Sequence, residues 1–292
     1  MKRCAYLTMS GPGDFVTDYD VSFDAMAAMG WQAEPVPWRD SSIDWDNYDA
    51  VYICTPWDYP QHVDEFMRVL ETIERSTAVL INDLALVHWS LSKTYLRDLE
   101  ERGAAIVPSI WRDDIDIAEV AHWFETFNAH TLVIKPDVGG NATDTFVLRN
   151  PLPGDLADSL AKTFRKRSFL VQPFVENIRT EGEFSLFFFG GEYSHTIQKT
   201  PRPGDFRVQE EHGADIRSVT PTQELIDTAQ QVLSLVEPQP VYVRADFVRG
   251  ATENYLLMEL EMIEPSLYLR TDDGASARFA AAFDKHFKDV AQ

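Results

Sequence analysis

Three carboxylates late in the chain have a spacing that could serve metal-assisted chemistry. Asp246 lies in VRADF, and Glu259 and Glu261 lie in LLMELEM. Alternate side chains of a strand share one face, so Glu259 and Glu261 point the same way, and Asp246 joins them if its strand is a neighbour. Three carboxylates on one face repel unless cations neutralise them. Mg²⁺ suits such a set, because it takes oxygen ligands from a few carboxylates and completes its shell with phosphate. Arg244 has the parity of Asp246 and should point at the same place. The bland alternative is a solvated acidic strand face, and the apolar runs flanking both segments argue against it. On the repulsion argument, Glu259→Gln should leave the stability of the empty protein unchanged or slightly raised.

A second group suits phosphates. In LVIKPDVGGNATDT a lysine, Lys135, ends an apolar run just before Gly139 and Gly140. A strand-end ammonium is a point charge for phosphate, and glycines let backbone N–H groups approach closely. The segment is neither GxxxxGK[ST] nor GxGxxG, and by itself it equally describes a turn after a strand. In VQPFVENIRTEGE a strand ends and presents Phe174 and Val175, where a flat ring could meet free backbone groups, with Glu183 downstream for hydroxyls. Ser10 and Trp57-Asp58-Tyr59 follow two further apolar runs and are candidates to contact a substrate. His62, His88, His122 and His130 show no metal-ligand spacing, whereas His195 and His212 fall near the proposed site.

The elements needed to position these groups are legible in part. Strands are expected over 3–9, 31–37, 48–54 and 78–81, with helices over 18–29 and 60–74 between them. This β-α-β-α-β order implies a parallel sheet with helices on its faces, which collects ligands at the carboxyl ends of its strands. A helix is expected over 84–102, carrying Lys93 and stopping at Gly103, then a strand over 105–111 and a helix over 117–128. Strands follow over 132–135 and 169–175, and a hairpin turns at Gly190-Gly191. A helix over 224–236, strands over 241–247 and 255–261, and a helix over 275–290 complete the chain. The fold class is therefore α/β followed by α+β.

The chain has 292 residues, 45% of them hydrophobic, and a net charge of −21. That length suggests two or three sub-domains. The acidity argues against nucleic-acid and anionic-membrane partners, both polyanions, but not against a nucleotide held in a local basic pocket. Cys4 and Cys54 sit in apolar strand-like runs and read as buried free thiols. With no signal-like apolar run at the start and no window near the roughly 18 apolar residues of a membrane span, a cytoplasmic location is expected.

The order of the motifs resembles the ATP-grasp superfamily, and within it the glutathione synthetase and D-alanine–D-alanine ligase group. It comprises a lysine before LRDLEERG, IKP with a glycine loop, QPFV…EGE, Lys199 with GDFR and Gly213, RADF, then ELE…PS. The likeness covers roughly residues 84–270. TPWDYP is similar to the small branch of D-cycloserine synthetase-like cyclo-ligases, associated with antibiotic biosynthesis. The resemblance implies an ATP-grasp fold. An N-terminal α/β domain (1–91) would precede a central (92–183) and a C-terminal (184–292) sub-domain that clasp ATP. It implies an ATP- and Mg²⁺-dependent, ADP-forming ligase that converts the carboxylate of a small amino-acid-like substrate to an acyl phosphate for attack by an amine. The attack would be intramolecular in a cyclo-ligase such as one making D-cycloserine from O-ureido-serine. By the same resemblance, Lys93, Lys135 and Gly140 meet the phosphates, Gln172, Phe174 and Val175 the adenine, and Glu183 the ribose. Lys199 and Arg207 approach the transferred phosphoryl group, Arg244 steadies an oxyanion, and Asp246, Glu259 and Glu261 hold two Mg²⁺ ions. Ser10, Trp57, Asp58, Tyr59, Arg202, His212 and Ser266 contact substrate. The pattern departs from the family where Glu261 replaces the usual asparagine, where His212 precedes Gly213, and in its short glycine loop. A carboxylate kinase, a non-catalytic nucleotide-binding protein and a homo-oligomer are all compatible with the same residues.

Overall fold

The computed structural model describes residues 1–13 and 15–290. Strands β1 (Lys2–Thr8), β2 (Trp31–Pro37), β3 (Ala50–Thr55) and β4 (Val79–Ile81) form a wholly parallel sheet in the order β2-β1-β3-β4. A parallel sheet must be covered on both faces, and β3, AVYICT, is buried at every position. Cys4 and Tyr6 face a cluster containing Phe279 and Phe283 of the C-terminal helix (Ala275–Val290), while Ala5 and Leu7 face Phe66 and Leu70 of the helix Val63–Glu74. Both cysteines are buried and free.

Two antiparallel sheets follow. Strands β5 (Ile110–Arg112), β6 (Thr131–Pro136), β7 (Phe146–Arg149) and β8 (Phe169–Pro173) pair in the order β5-β8-β6-β7. The helices Val120–Phe127 and Gly154–Thr163 close one face around Trp123, Leu160 and Phe164. Strands β9 (Glu183–Phe189), β10 (Glu192–Thr200), β11 (Asp215–Ser218), β12 (Tyr242–Arg249) and β13 (Tyr255–Glu261) form the other sheet in the order β11-β10-β9-β12-β13. The β9–β10 hairpin turns on Gly190 and Gly191, with φ of 59° and 81°, as a tight primed turn requires. Phe187 and Phe189 of β9 share a cluster with Tyr52 of the parallel sheet and Phe279 of the C-terminal helix, so the last helix returns to the first sheet.

Two expected elements differ. The helix over 84–102 is two helices, Leu84–Ser90 and Tyr95–Glu101. At the break the Lys93 N–H donates to the Asp137 carbonyl at 2.8 Å and the Ser92 hydroxyl to the Asp137 carboxylate at 3.1 Å. Tertiary hydrogen bonds replace the helix's own, which propensity cannot register. The strand over 105–111 is ladder only at Ile110–Arg112; before it, Ile106 makes a single parallel bridge to Leu257, and Pro108 has no N–H to continue. Strands β7 and β11 and the helix Gly154–Thr163 were not anticipated. Among the described residues no helix is long and apolar enough to cross a membrane.

Candidate active site

The two antiparallel sheets face each other across a cleft of about 990 Å³. Lys135 arrives at the end of β6, Gln172, Phe174 and Val175 at the end of β8, and Glu183, Lys199, Asp246, Glu259 and Glu261 from β9, β10, β12 and β13. Strand parity holds. In the β12–β13 ladder Arg244 stands opposite Glu261 and Asp246 opposite Glu259, followed by a bulge after Asp246. One end of the cleft is an apolar slot where Phe174 and Val175 pack with Val107, Ile178 and Val208. Phe206 meets the Phe174 ring edge-on at 6.4 Å.

The opposite end is a charge network. Lys135 Nζ donates to Glu259 at 2.7 Å, and Lys93 Nζ lies 3.8 Å from the same carboxylate while donating to the Gly139 carbonyl at 2.7 Å. Lys199 Nζ is 2.6 Å from Glu183 and 3.6 Å from Asp246. The Arg244 guanidinium pairs with Asp246 at 2.9 Å and also with Glu261. Burial opposes ionisation of Glu259, but Lys135 and Lys93 outweigh it and hold the carboxyl at about 2. Burial and Arg244 press the Lys199 ammonium down, yet Asp246 and Glu183 outweigh them and keep it above its ordinary value. Glu261 is pushed up to about 7 by burial, with Asp246 and Glu259 adding to the push against Arg244. Negative charge at Glu261 is therefore only partly compensated.

A second cavity, about 1000 Å³, adjoins the first and shares Lys93, Gly140, Lys199, Arg244, Glu259 and Glu261 with it. Trp57, Tyr59, Ser266, Tyr268, Phe15 and Glu264 line the second cavity and not the first.

A family model for the N-terminal domain of D-cycloserine synthetase DcsG matches residues 4–82. The cycloserine biosynthesis protein DcsG of Streptomyces lavendulae is 30% identical over 287 residues, spanning 93% of this chain and 95% of that protein. The chain belongs to the DcsG family of ATP-grasp ligases. Superposition agrees. The crystal structure of D-cycloserine synthetase DcsG matches with a TM-score of 0.87 at 27% identity, covering 98% of this chain and 99% of that one. The ATP-grasp ligase PsnB, solved with a minimal precursor, Mg and ADP, shares the fold with a TM-score of 0.65 at 14% identity, covering 98% of each chain. As a DcsG-family member the chain is an ATP-dependent ligase that forms C–N bonds.

In this DcsG-family chain thirteen of the expected residues meet in the first cleft: Lys93, Lys135, Gly140, Gln172, Phe174, Val175, Glu183, Lys199, Arg207, Arg244, Asp246, Glu259 and Glu261. Trp57, Tyr59 and Ser266 line the second cavity. Four others lie outside both. Asp58 accepts a hydrogen bond from the Trp38 indole at 2.7 Å, and Ser10 lines a smaller hollow at the ends of β1 and β3. Arg202 pairs with Asp205 at 3.4 Å, and His212 stands 3.4 Å from the Asn141 carbonyl. Buried His195 stacks on Phe187 at 4.2 Å, packed in the core. Glu264, Tyr268 and Phe15 escaped the sequence reading. Glu264 had a usable signal, a carboxylate in IEPS immediately beyond a strand already marked as functional. In the glycine loop the left-handed positions are Asn141, Ala142 and Asp144, with φ of 52°, 54° and 54°, while the Lys93 ammonium contacts Gly139 through its carbonyl.

Among the described residues no three acidic, His or Cys side chains converge closely enough to hold an ion by themselves. The carboxylates of Asp246, Glu259 and Glu261 offer hard oxygen donors to the cleft, and Glu261 is only partly counter-charged. That chemistry fits Mg²⁺, which is bound by one or two carboxylates and completed by phosphate and water.

Proposed function

We propose that this enzyme activates a substrate carboxylate as an acyl phosphate and joins it to an amine. The observation that carries the reading is that the two cavities meet at Lys93, Lys199 and Arg244. A nucleotide in the first would present its terminal phosphate where a carboxylate in the second could receive it. The apolar slot of Phe174 and Val175 would take the adenine, with Gln172 beside it and Glu183 toward the ribose. Lys93, Lys135 and the backbone at Gly140 would meet the α- and β-phosphates, and Lys199 and Arg207 the transferred group. Asp246, Glu259 and Glu261 would hold Mg²⁺, two ions in this reading. The metal neutralises phosphate charge when bound.

Holding both partners in line provides much of the acceleration, and Arg244 stabilises the oxyanion formed when the amine attacks, an interaction worth roughly 3–4 kcal/mol for a strong donor. The segments 1–91, 92–183 and 184–292 act as three units around the nucleotide. The attacking nitrogen belongs to the same molecule in the cyclo-ligase case, of which O-ureido-serine closing to D-cycloserine is the favoured example: the nitrogen displaces phosphate, and water then removes the carbamoyl group as carbon dioxide and ammonia. The test is ADP release with Mg-ATP across amino acids, small peptides and O-ureido-serine, with products read by mass spectrometry and hydroxylamine present to trap an acyl phosphate as hydroxamate. ADP release that depends on a carboxylate, with hydroxamate formed, is expected. ADP release without any carboxylate substrate would refute the reading, and acyl phosphate release with no amine coupling would make the enzyme a carboxylate kinase.

A further inference from the structure

Behind the second cavity, an irregularity in β10 brings two polar side chains together. In the β9–β10 ladder Tyr193 stands opposite Phe188 and His195 opposite Phe187, so Ser194 is one residue in excess and forms a β-bulge. Neighbouring side chains of a regular strand point to opposite faces, whereas a bulge re-aims them, and bulges gather beside active sites. Here the Ser194 hydroxyl and His195 Nδ1 are 2.9 Å apart. His195 is buried and lines neither cavity.

Its hydrogen bonds fix where its proton sits. Nε2 stands 3.1 Å from the Leu267 carbonyl, which can only accept, so Nε2 carries a hydrogen and donates it. On the other side Arg278, near the start of the C-terminal helix and paired with Asp272, donates from Nε to Ser194 Oγ at 2.9 Å. The single Ser194 hydrogen is then free to donate to an unprotonated Nδ1. The Leu267 carbonyl shares a planar peptide unit with the Tyr268 N–H, so holding it orients the next residue. Tyr268 has φ of 45° and ψ of 41°, a left-handed conformation that a bulky side chain keeps only where its surroundings impose it. Ser266 and Tyr268 both line the second cavity, and Arg244 Nη1 donates to the Ser266 carbonyl at 3.4 Å.

We infer that His195 is a positioning residue of this ligase: its Nε2–H, oriented by the Arg278–Ser194 chain, fixes the Leu267 carbonyl and through it the place of Ser266 and Tyr268 in the cavity wall. It acts through the backbone, from behind the site. Its kinetic consequence rests on the reading of the second cavity as the place of the carboxylate substrate; its geometric consequence does not.

The experiment uses the full chain as wild type, His195→Phe, His195→Gln and Ser194→Ala, with thermal melts to confirm folding. Phe keeps a ring against Phe187 but has no donor, and Gln can return an N–H near the position of Nε2. ADP release is measured with Mg-ATP and O-ureido-serine varied in turn. His195→Phe should lose about 10- to 100-fold in kcat/KM for O-ureido-serine, the scale of a misplacement approaching one ångström, with KM for Mg-ATP changed by less than about twofold. His195→Gln should recover most of that loss. Ser194→Ala should show a smaller loss of the same kind, and it carries the test if His195→Phe does not fold. Nitrogen NMR of wild type should show, for the histidine signal missing in His195→Gln, a protonated Nε2 and a bare Nδ1. A protonated Nδ1, an unaltered kcat/KM in folded His195→Phe, equal losses in the Phe and Gln variants, or a loss shared equally by Mg-ATP and O-ureido-serine overturns the assignment. If wild type releases no ADP with O-ureido-serine, that substrate reading fails by itself, and crystals of the variants decide the positioning. Ser266 and Tyr268 should then shift in His195→Phe and return in His195→Gln, and an unmoved segment overturns the role of His195.

Discussion

Replacing Glu259 by Gln tests how the empty site is balanced. Repulsion among three carboxylates, taken alone, says that the protein should tolerate the change or gain from it. The structure reverses that expectation, because Glu259 is held by Lys135 at 2.7 Å and Lys93 at 3.8 Å. Its carboxyl stands at about 2 against an ordinary 4.5. At about 1.36 kcal/mol for each tenfold change in acidity, that difference is worth about 3 kcal/mol. A quarter of the side chain is open to solvent, so part is screened and about 2–3 kcal/mol remains. The folded-state value is depressed, so this stability is present above about pH 4.5 and is lost as pH falls toward 2. Glu259→Gln should therefore lower the melting temperature of the metal-free, nucleotide-free protein at pH 7 by roughly 4–10 °C. The gap between wild type and variant should narrow from about pH 5 downward. Differential scanning calorimetry in EDTA at several pH values measures both. An apo Tm that is unchanged or raised at pH 7 would show that the lysines do not stabilise this carboxylate, and the network as described would be wrong. Mg-ATP should also fail to raise the variant's Tm as it raises that of wild type.

Further outcomes follow from neighbouring groups. Lys135→Met should weaken Mg-ATP binding by about 1.5–3 kcal/mol, the cost of a lost charged hydrogen bond; calorimetry showing unchanged affinity in folded protein would remove Lys135 from the site. Burial, with Glu261 adding, pushes Glu264 up to about 8 from an ordinary 4.5. The folded protein thus keeps a proton that the unfolded chain gives up, so this contribution is full below about pH 4.5 and is lost as pH rises toward 8. Urea midpoints at pH 5 and pH 8 should fall with pH in wild type and fall less in Glu264→Gln, and equal slopes would contradict the assignment. Gly182 has φ of 101°, and a Cβ there would come within 2.5 Å of the Lys199 carbonyl. Gly182→Ala should cost at least about 2 kcal/mol and disturb the adjoining Lys199–Glu183 pair. Unfolding at the wild-type denaturant midpoint would contradict that geometry.

Where local pattern governs position, the sequence was readable. Period-two parity placed Glu259 with Glu261 and Arg244 with Asp246, and the ladder keeps both relations. Lys135 and Phe174 were legible because apolar runs end beside them. Parity stops being informative where a strand ends. Trp57 turns into the cavity while its neighbour Asp58 binds the Trp38 indole, and nothing in TPWDYP distinguishes the two. Lys93 was found by motif order but placed on a continuous helix, since the contact with Asp137 that opens the helix comes from a loop over forty residues away. Glu264 is outside any periodic element, and the cavity it lines is assembled from the end of β3 and the exit of β13. The charge balance was also invisible. Carboxylates can be counted in a sequence, but the lysines that neutralise Glu259 come from other elements.

The Lys135–Glu259 contact joins β6 of one sheet to β13 of the other, so the two sheets are tied across the cleft by their own charges. A phosphate chain arriving alone takes the lysine and strands a carboxylate. A divalent cation arriving alone takes the carboxylate and strands an ammonium. Only the joint exchange leaves every charge matched. Nucleotide and cation should therefore bind with positive heterotropic linkage, each tightening the other by the same factor, and Lys135→Met should shrink that factor from both directions of titration.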